Sequence, residues 1–196
     1  MAADVAAVWR GAQLDYAFRV TIMDDYEDFA GLTRRALDFA LLDRGLDLDP
    51  QVRAGLVSAY DRLPTFPDVA AGLAALAAAG TECVLLSNGS PTMLAACLRT
   101  AGLAPWFSHV ISVDDVRVYK PHPAVYRHAA AVTGRPVESI RLVSCNPFDI
   151  VGAARAGMRT AWIDRSGRTF DTLGRLPDVV VRELSELAEL RTPAAG

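Results

Sequence analysis

The 196 residues predict an α/β fold in which a parallel sheet, covered by helices on both faces, follows a purely helical N-terminal unit. Two patterns carry this. Residues 1 to about 63 show apolar side chains at helical spacing and no strand signal, whereas from Phe66 onward short apolar runs alternate with helical stretches. Composition sets the scale: 52% hydrophobic and 22% charged residues suit one globular domain with a small appended subdomain. A chain of this length buries about 70% of its unfolded surface, so its core needs no disulfides.

In the N-terminal unit, Val5, Val8, Trp9, Ala12 and Tyr16 form one stripe and Phe29, Leu32, Ala36, Leu37 and Ala40 a second. Gly45 closes the second helix, Pro50 opens a third that runs to about Arg62, and Pro64 interrupts the pattern. The alternating part starts with a helix begun by Pro67 and closed by Gly80, then a strand at 82–86 and a helix opened by Ser90 and Pro91 and closed by Gly102. Strands are expected at 110–113, 141–145, 160–163 and 179–181, with helices at 124–133, 148–156 and 184–190. The domain division drawn from this is 1–63 and 64–196, and the last five residues, TPAAG, read as a frayed tail.

Several function classes are disfavoured by composition. A net charge of -3 offers no basic field for phosphates, so nucleic acid is not the expected partner and small molecules are. The start, MAADVAAVWR, has no basic region leading into an apolar run, which predicts a cytoplasmic protein. The longest uncharged apolar stretch, 69–80, falls short of the roughly 20 residues needed to span a bilayer. Cys83, Cys97 and Cys145 are odd in number and lack a CxxC spacing, so they read as reduced core residues rather than metal ligands. Of the 20 basic residues, Lys120 is the single lysine. A compact ammonium where the rest of the chain uses guanidinium forks sets that position apart.

Open parallel sheets bind ligands beyond the carboxyl ends of their strands. The polar residues there are Ser87, Asn88 and Gly89, then Asp114 and Lys120, then Ser144, Asn146 and Asp149, then Asp164. Singly, each has an ordinary use: Ser90 and Asn146 can cap helices, Gly89 can turn the chain, and Asp149 suits a helix N-terminus. Together, a hydroxyl, an amide, an ammonium and a carboxylate on one edge make a site for an anion or carboxylate.

The segments LLSNGSP at 85–91, SVDDVRVYKPHPAVY at 112–126 and LVSCNPFDIVGAARAGMRTAWIDRSG at 142–167 resemble the second, third and fourth motifs of the L-2-haloacid dehalogenases, within the haloacid dehalogenase superfamily. VWRGAQLDYAF at 8–18, with Tyr26 and Phe29 after it, resembles that family's cap subdomain. The resemblance implies a Rossmann-like core at 64–196 beneath a helical cap at 1–63, a homodimer, no cofactor, and hydrolysis of (S)-2-haloacids to (R)-2-hydroxyacids through an aspartyl ester. It also implies roles. Ser87 and Asn88 hold the substrate carboxylate, and Lys120 pairs with the nucleophilic carboxylate. Tyr126 and Ser144 support that network, Asn146 orients the active-site groups, and Asp149 places the water that opens the ester. Arg10 receives the halide, and Leu14, Phe29 and Phe148 form an apolar wall, although these three also read as ordinary core residues.

The fourth motif discriminates within the superfamily. Phosphatases keep an acidic cluster there because Mg2+ needs carboxylate oxygens. Here Ser144 and Asn146 stand at those places and Asp149 alone is acidic, which favours metal-free attack on carbon. The family's first motif, of the type FDxYGTL with its nucleophilic Asp, does not occur in the 196 residues. Asp4, Asp24 and Asp25 follow no apolar strand and do not replace it. The sequence therefore predicts a fold without its first core strand and a chain inactive as it stands. Two other readings stay open: a non-catalytic descendant that binds carboxylates, and a small phosphatase, which the fourth motif disfavours.

Overall fold

A computed structural model describes residues 2–190; the tail expected at 192–196 lies outside the described residues. The chain divides into two compact units, one formed by the residues up to Pro64 with Leu86–Ala104 and Ile111–Tyr119, the other by Thr65–Leu85, Pro105–Val110 and the chain from Lys120 on.

In the first unit, α1 (Ala2–Ile22) packs on α2 (Phe29–Asp43). Small side chains make the close approach possible: Ala17, Ala36 and Ala40 are fully buried, flanked by Leu32, Leu37 and Leu41. The helices begin where local chemistry says they should. Asp28 accepts a hydrogen bond from the Gly31 N–H at 2.6 Å, and Asp49 one from Gln51 at 2.7 Å ahead of α3 (Pro50–Ser58). A 3-10 turn at Ala59–Arg62 continues α3 to the predicted end, and it packs against α5 (Pro91–Ala101). Ser90 caps α5, and Gly102 ends it in the left-handed conformation that favours glycine.

The second unit contains α4 (Val69–Ala78), α6 (Pro123–Thr133), α7 (Pro147–Arg155) and the parallel strands β3 (Arg141–Ser144), β4 (Arg159–Ile163) and β5 (Val179–Val181). Register pairs Ser144 with Trp162 and Ile163 with Val181, so the strands end level at their carboxyl side. Leu76, Ala161, Ile163, Val181 and Leu187 form a core cluster beneath α4. The last predicted helix is a 3-10 helix, Leu184–Glu189; the Glu183 and Glu186 capping box closes a segment too short to gain from α-helical bonding.

The remaining strands, β1 (Val84–Ser87) and β2 (His109–Ser112), pair with each other. The described strands thus form two sheets, β1–β2 and β3–β4–β5, where the sequence pattern alone reads as one. Among the described residues, no helix is long and apolar enough to cross a membrane.

Candidate active site

The second unit gathers three of the predicted site residues into one cluster. Pro147 opens α7 directly after the β3 turn, which places Asp149 in the first turn of the helix, where its dipole favours a negative charge. The Lys120 ammonium lies 2.8 Å from Asp149 Oδ2, and the Tyr126 hydroxyl donates to Asp149 Oδ1 at 2.9 Å. Only 10% of the Lys120 side chain and 4% of the Asp149 side chain are exposed. Charges this deep persist because they are paired and hydrogen-bonded. Burial, reinforced by the Asp149 charge, pushes the Tyr126 phenol well above its ordinary range, so it remains a proton donor to the carboxylate.

Gly152 makes this packing possible. A Cβ there would stand 2.6 Å from the Tyr126 hydroxyl oxygen and 2.5 Å from Pro121 Cβ, so only glycine lets both approach α7 so closely. Ser144 and Asn146 form the adjoining turn, in which the Asn146 N–H donates to Ser144 Oγ at 3.1 Å. Asn146 stands at the N-cap of α7, yet its side chain makes no capping bond, contrary to the ordinary use available to it from sequence. The Cys145 carbonyl between them accepts from Trp162 Nε1 and Arg168 Nη2, which holds the turn. Phe148 is half-buried at the same helix start. Asp164, after β4, accepts the main-chain N–H groups of Arg168 and Ser166, and these bonds hold its carboxyl below the ordinary range. It fastens its own loop.

The first unit holds the other predicted residues. Ser87 Oγ accepts from the Gly89 N–H at 3.1 Å, Gly89 O accepts from Ser112 Oγ at 2.7 Å, and Asn88 is buried between these turns in sequence. Arg10 is exposed and donates to Gln13 Oε1 at 2.7 Å, while Gln13 Nε2 donates to Thr33 Oγ1 at 2.7 Å. Gln13 and Thr33, both fully buried, were missed by the sequence reading. Their signal was a polar residue inside each apolar stripe. Leu14 is half-buried, and Phe29 is a buried residue whose ring lies 5.8 Å from that of Tyr119.

Chemically, the Lys120 cluster is an ionised carboxylate held by an ammonium and a phenol. The resemblance gave Lys120 a nucleophile for its partner; among the described bonds its partner is Asp149. A hard divalent ion needs several carboxylate oxygens, and here the ammonium occupies Asp149 Oδ2 while the neighbours are Ser144 and Asn146. Among the described residues, no three His, Cys, Asp or Glu side chains converge in a way that could hold an ion.

Residues 3–157 match the haloacid dehalogenase-like hydrolase family, and the chain belongs to it. The (S)-2-haloacid dehalogenase of Pseudomonas sp. (strain YL) is 40% identical over 98% of this chain and 83% of its own length. That of Xanthobacter autotrophicus is 42% identical, covering 98% of this chain and 84% of the relative. The solved structure of L-2-haloacid dehalogenase from Xanthobacter autotrophicus with chloropropionic acid covalently bound superposes with a TM-score of 0.90 at 35% identity, over 97% of this chain and 86% of that one. A haloacid dehalogenase-type phosphatase from Thermococcus onnurineus is more distant, with a TM-score of 0.61 at 26% identity over 78% of this chain and 68% of its own.

Proposed function

We propose that this protein serves the hydrolytic dehalogenation of (S)-2-haloacids to (R)-2-hydroxyacids without a metal or other cofactor. The observation that carries the reading is the buried Lys120–Asp149–Tyr126 cluster beside Ser144 and Asn146, in a chain 40% identical to an (S)-2-haloacid dehalogenase. In this reading, residues 1–63 are the cap and 64–196 the core. Ser87 and Asn88 hold the substrate carboxylate, Arg10 receives the halide, and Leu14, Phe29 and Phe148 surround the alkyl part. A carboxylate oxygen forms a bond to the α-carbon as the carbon–halogen bond breaks, and halide leaves with inversion. Asp149 then places the water that attacks the ester carbonyl, releasing the hydroxyacid and the carboxylate. Lys120 keeps the attacking carboxylate ionised, while Ser144, Asn146 and Tyr126 orient the reacting groups. The resemblance also carries a homodimer acting on small carboxylates.

The attacking carboxylate belongs to an FDxYGTL stretch, which does not occur in the 196 residues. Halide release from (S)-2-chloropropionate should therefore be absent with this chain and appear once a strand ending in FDxYGTL is fused ahead of it. The product should be the (R)-hydroxyacid, and EDTA should leave the rate unchanged. Turnover by the unextended chain would overturn the assignment of the nucleophile. Loss to EDTA with rescue by Mg2+ would point to the phosphatase reading. A well-folded, inactive extended chain would leave a binding protein.

A further inference from the structure

The segment that delivers Lys120 is anchored by groups to which the proposed mechanism assigns no role. After β2, Val113–Asp115 form a 3-10 turn, and the Val116 and Arg117 N–H groups fold back on the Val113 carbonyl at 3.0 and 2.9 Å. Asp114 accepts a hydrogen bond from the Tyr26 hydroxyl. The Arg117 guanidinium lies over the Tyr26 ring, 5.0 Å from its centroid, from a backbone with φ of 53°. The Tyr119 ring stacks on that of Tyr26, with the centroids 5.4 Å apart. Its hydroxyl donates to the Glu27 carbonyl at 2.7 Å, and its N–H donates to Thr21 Oγ1 at 3.0 Å. Tyr119 is fully buried. The main-chain N–H and the hydroxyl of Tyr119 are thus tied to the end of α1 and to the link that follows it. The next residue is Lys120, with which the chain enters the other compact unit and whose ammonium meets Asp149.

We propose that Tyr26 and Asp114 are positioning residues that fix Tyr119 and thereby set the reach of the Lys120 ammonium. An ammonium on a four-carbon stem finds many rotamers, and a rigid backbone at its root removes part of that freedom. The inference deepens the role given to Lys120 above, but its readout needs no turnover, so failure of the catalytic reading leaves it to be judged separately.

The test uses the single lysine of the chain. Acylation of Lys120 by an N-hydroxysuccinimide ester, followed by mass spectrometry and normalised to the α-amino group, reports how often the ammonium leaves its partner. In Tyr26→Phe and in Asp114→Asn the labelling rate should rise about tenfold, the population change expected for losing one hydrogen bond to a charged group. Leu41→Ala, which opens a cavity in the α1–α2 packing away from this cluster, should lower the melting temperature at least as much and leave the labelling rate within about twofold. Wild-type labelling in both cluster variants, or equal acceleration in Leu41→Ala, would overturn the proposal.

Discussion

Two carboxylates in the same compact unit, half-buried Asp68 and buried Asp149, are held in opposite ways. Asp68 meets the planar fork of Arg165 with bonds of 2.9 and 2.8 Å, and its Oδ2 also accepts the Leu184 N–H at 3.0 Å. The guanidinium lies 4.2 Å from the centroid of Phe66. This pair fastens three stretches of chain: the start of α4, the loop after β4 and the entry to the closing 3-10 helix. Asp149 meets a point charge and a hydroxyl, both on rotatable bonds, at a more deeply buried position. A fork of fixed shape suits a clamp, whereas a compact ammonium suits a place where the partner of the charge must change during a reaction. In a chain with 19 arginines among its 20 basic residues, the single lysine stands at the second kind of place.

Breaking each pair should expose this difference. The largest effect is expected for Lys120→Ala, which strands the Asp149 charge and should cost about 3–5 kcal/mol by urea denaturation. Arg165→Ala leaves Asp68 its Leu184 bond and should cost less, about 1–3 kcal/mol. The reverse order would make Asp68 the more dependent carboxylate and undo the comparison. Lys120→Arg keeps the charge but overpacks the site, so about 1–3 kcal/mol of stability should be lost together with most halide release in the extended chain.

Two glycines sharpen the contrast without touching a charge. Gly152→Ala would press on Tyr126 and Pro121, and Gly72→Ala would overlap Leu184 beside the Asp68 clamp. Each should cost about 1–3 kcal/mol in thermal melts. Only Gly152→Ala should also reduce halide release by the extended chain; equal losses of activity would remove the distinction between clamp and reactive cluster.

The smallest expected effect is a pH dependence. The Arg165 hydrogen bonds hold the Asp68 carboxyl below its ordinary value of 3.8, with the Leu184 N–H adding to this. Its contribution is therefore complete above that value and is lost as pH falls through the depressed one. The stability gap between the wild type and Asp68→Asn should stay constant from pH 7 to about 5. It should narrow once the pH drops below 3.8, and a gap unchanged down to pH 2 would mean that Asp68 holds its clamp without its charge.

Much of the site was legible because its signals are local. Lys120 stands out by composition, and Asn146 and Asp149 follow the strand expected at 141–145, around the start of the helix expected at 148–156. The Tyr26, Asp114 and Tyr119 cluster was not legible: Tyr26 and Asp114 are 88 residues apart, and nothing in either neighbourhood names the other. Gly152 looked like any residue of a small-residue run in α7, and the two side chains that require it come from the segment before α6 and from α6 itself.

Helix starts show where the sequence stops deciding. Asp28, Asp49 and Ser90 stand before helices and spend their side chains capping them, because the acceptor and the orphaned N–H groups lie within three residues of each other. Asp68 and Asn146 occupy the same position before α4 and α7 and make no capping bond. Asp68 is drawn instead to Arg165 and Leu184, 97 and 116 residues away. By itself the sequence determined the order of helices and strands, the family and the lone lysine, all of which depend on spacing and chemistry along the chain. Which polar side chains cap their own helix and which are released to pair with distant charges was decided by the tertiary structure, since a guanidinium brought into the same desolvated space outcompetes a nearby N–H for a carboxylate.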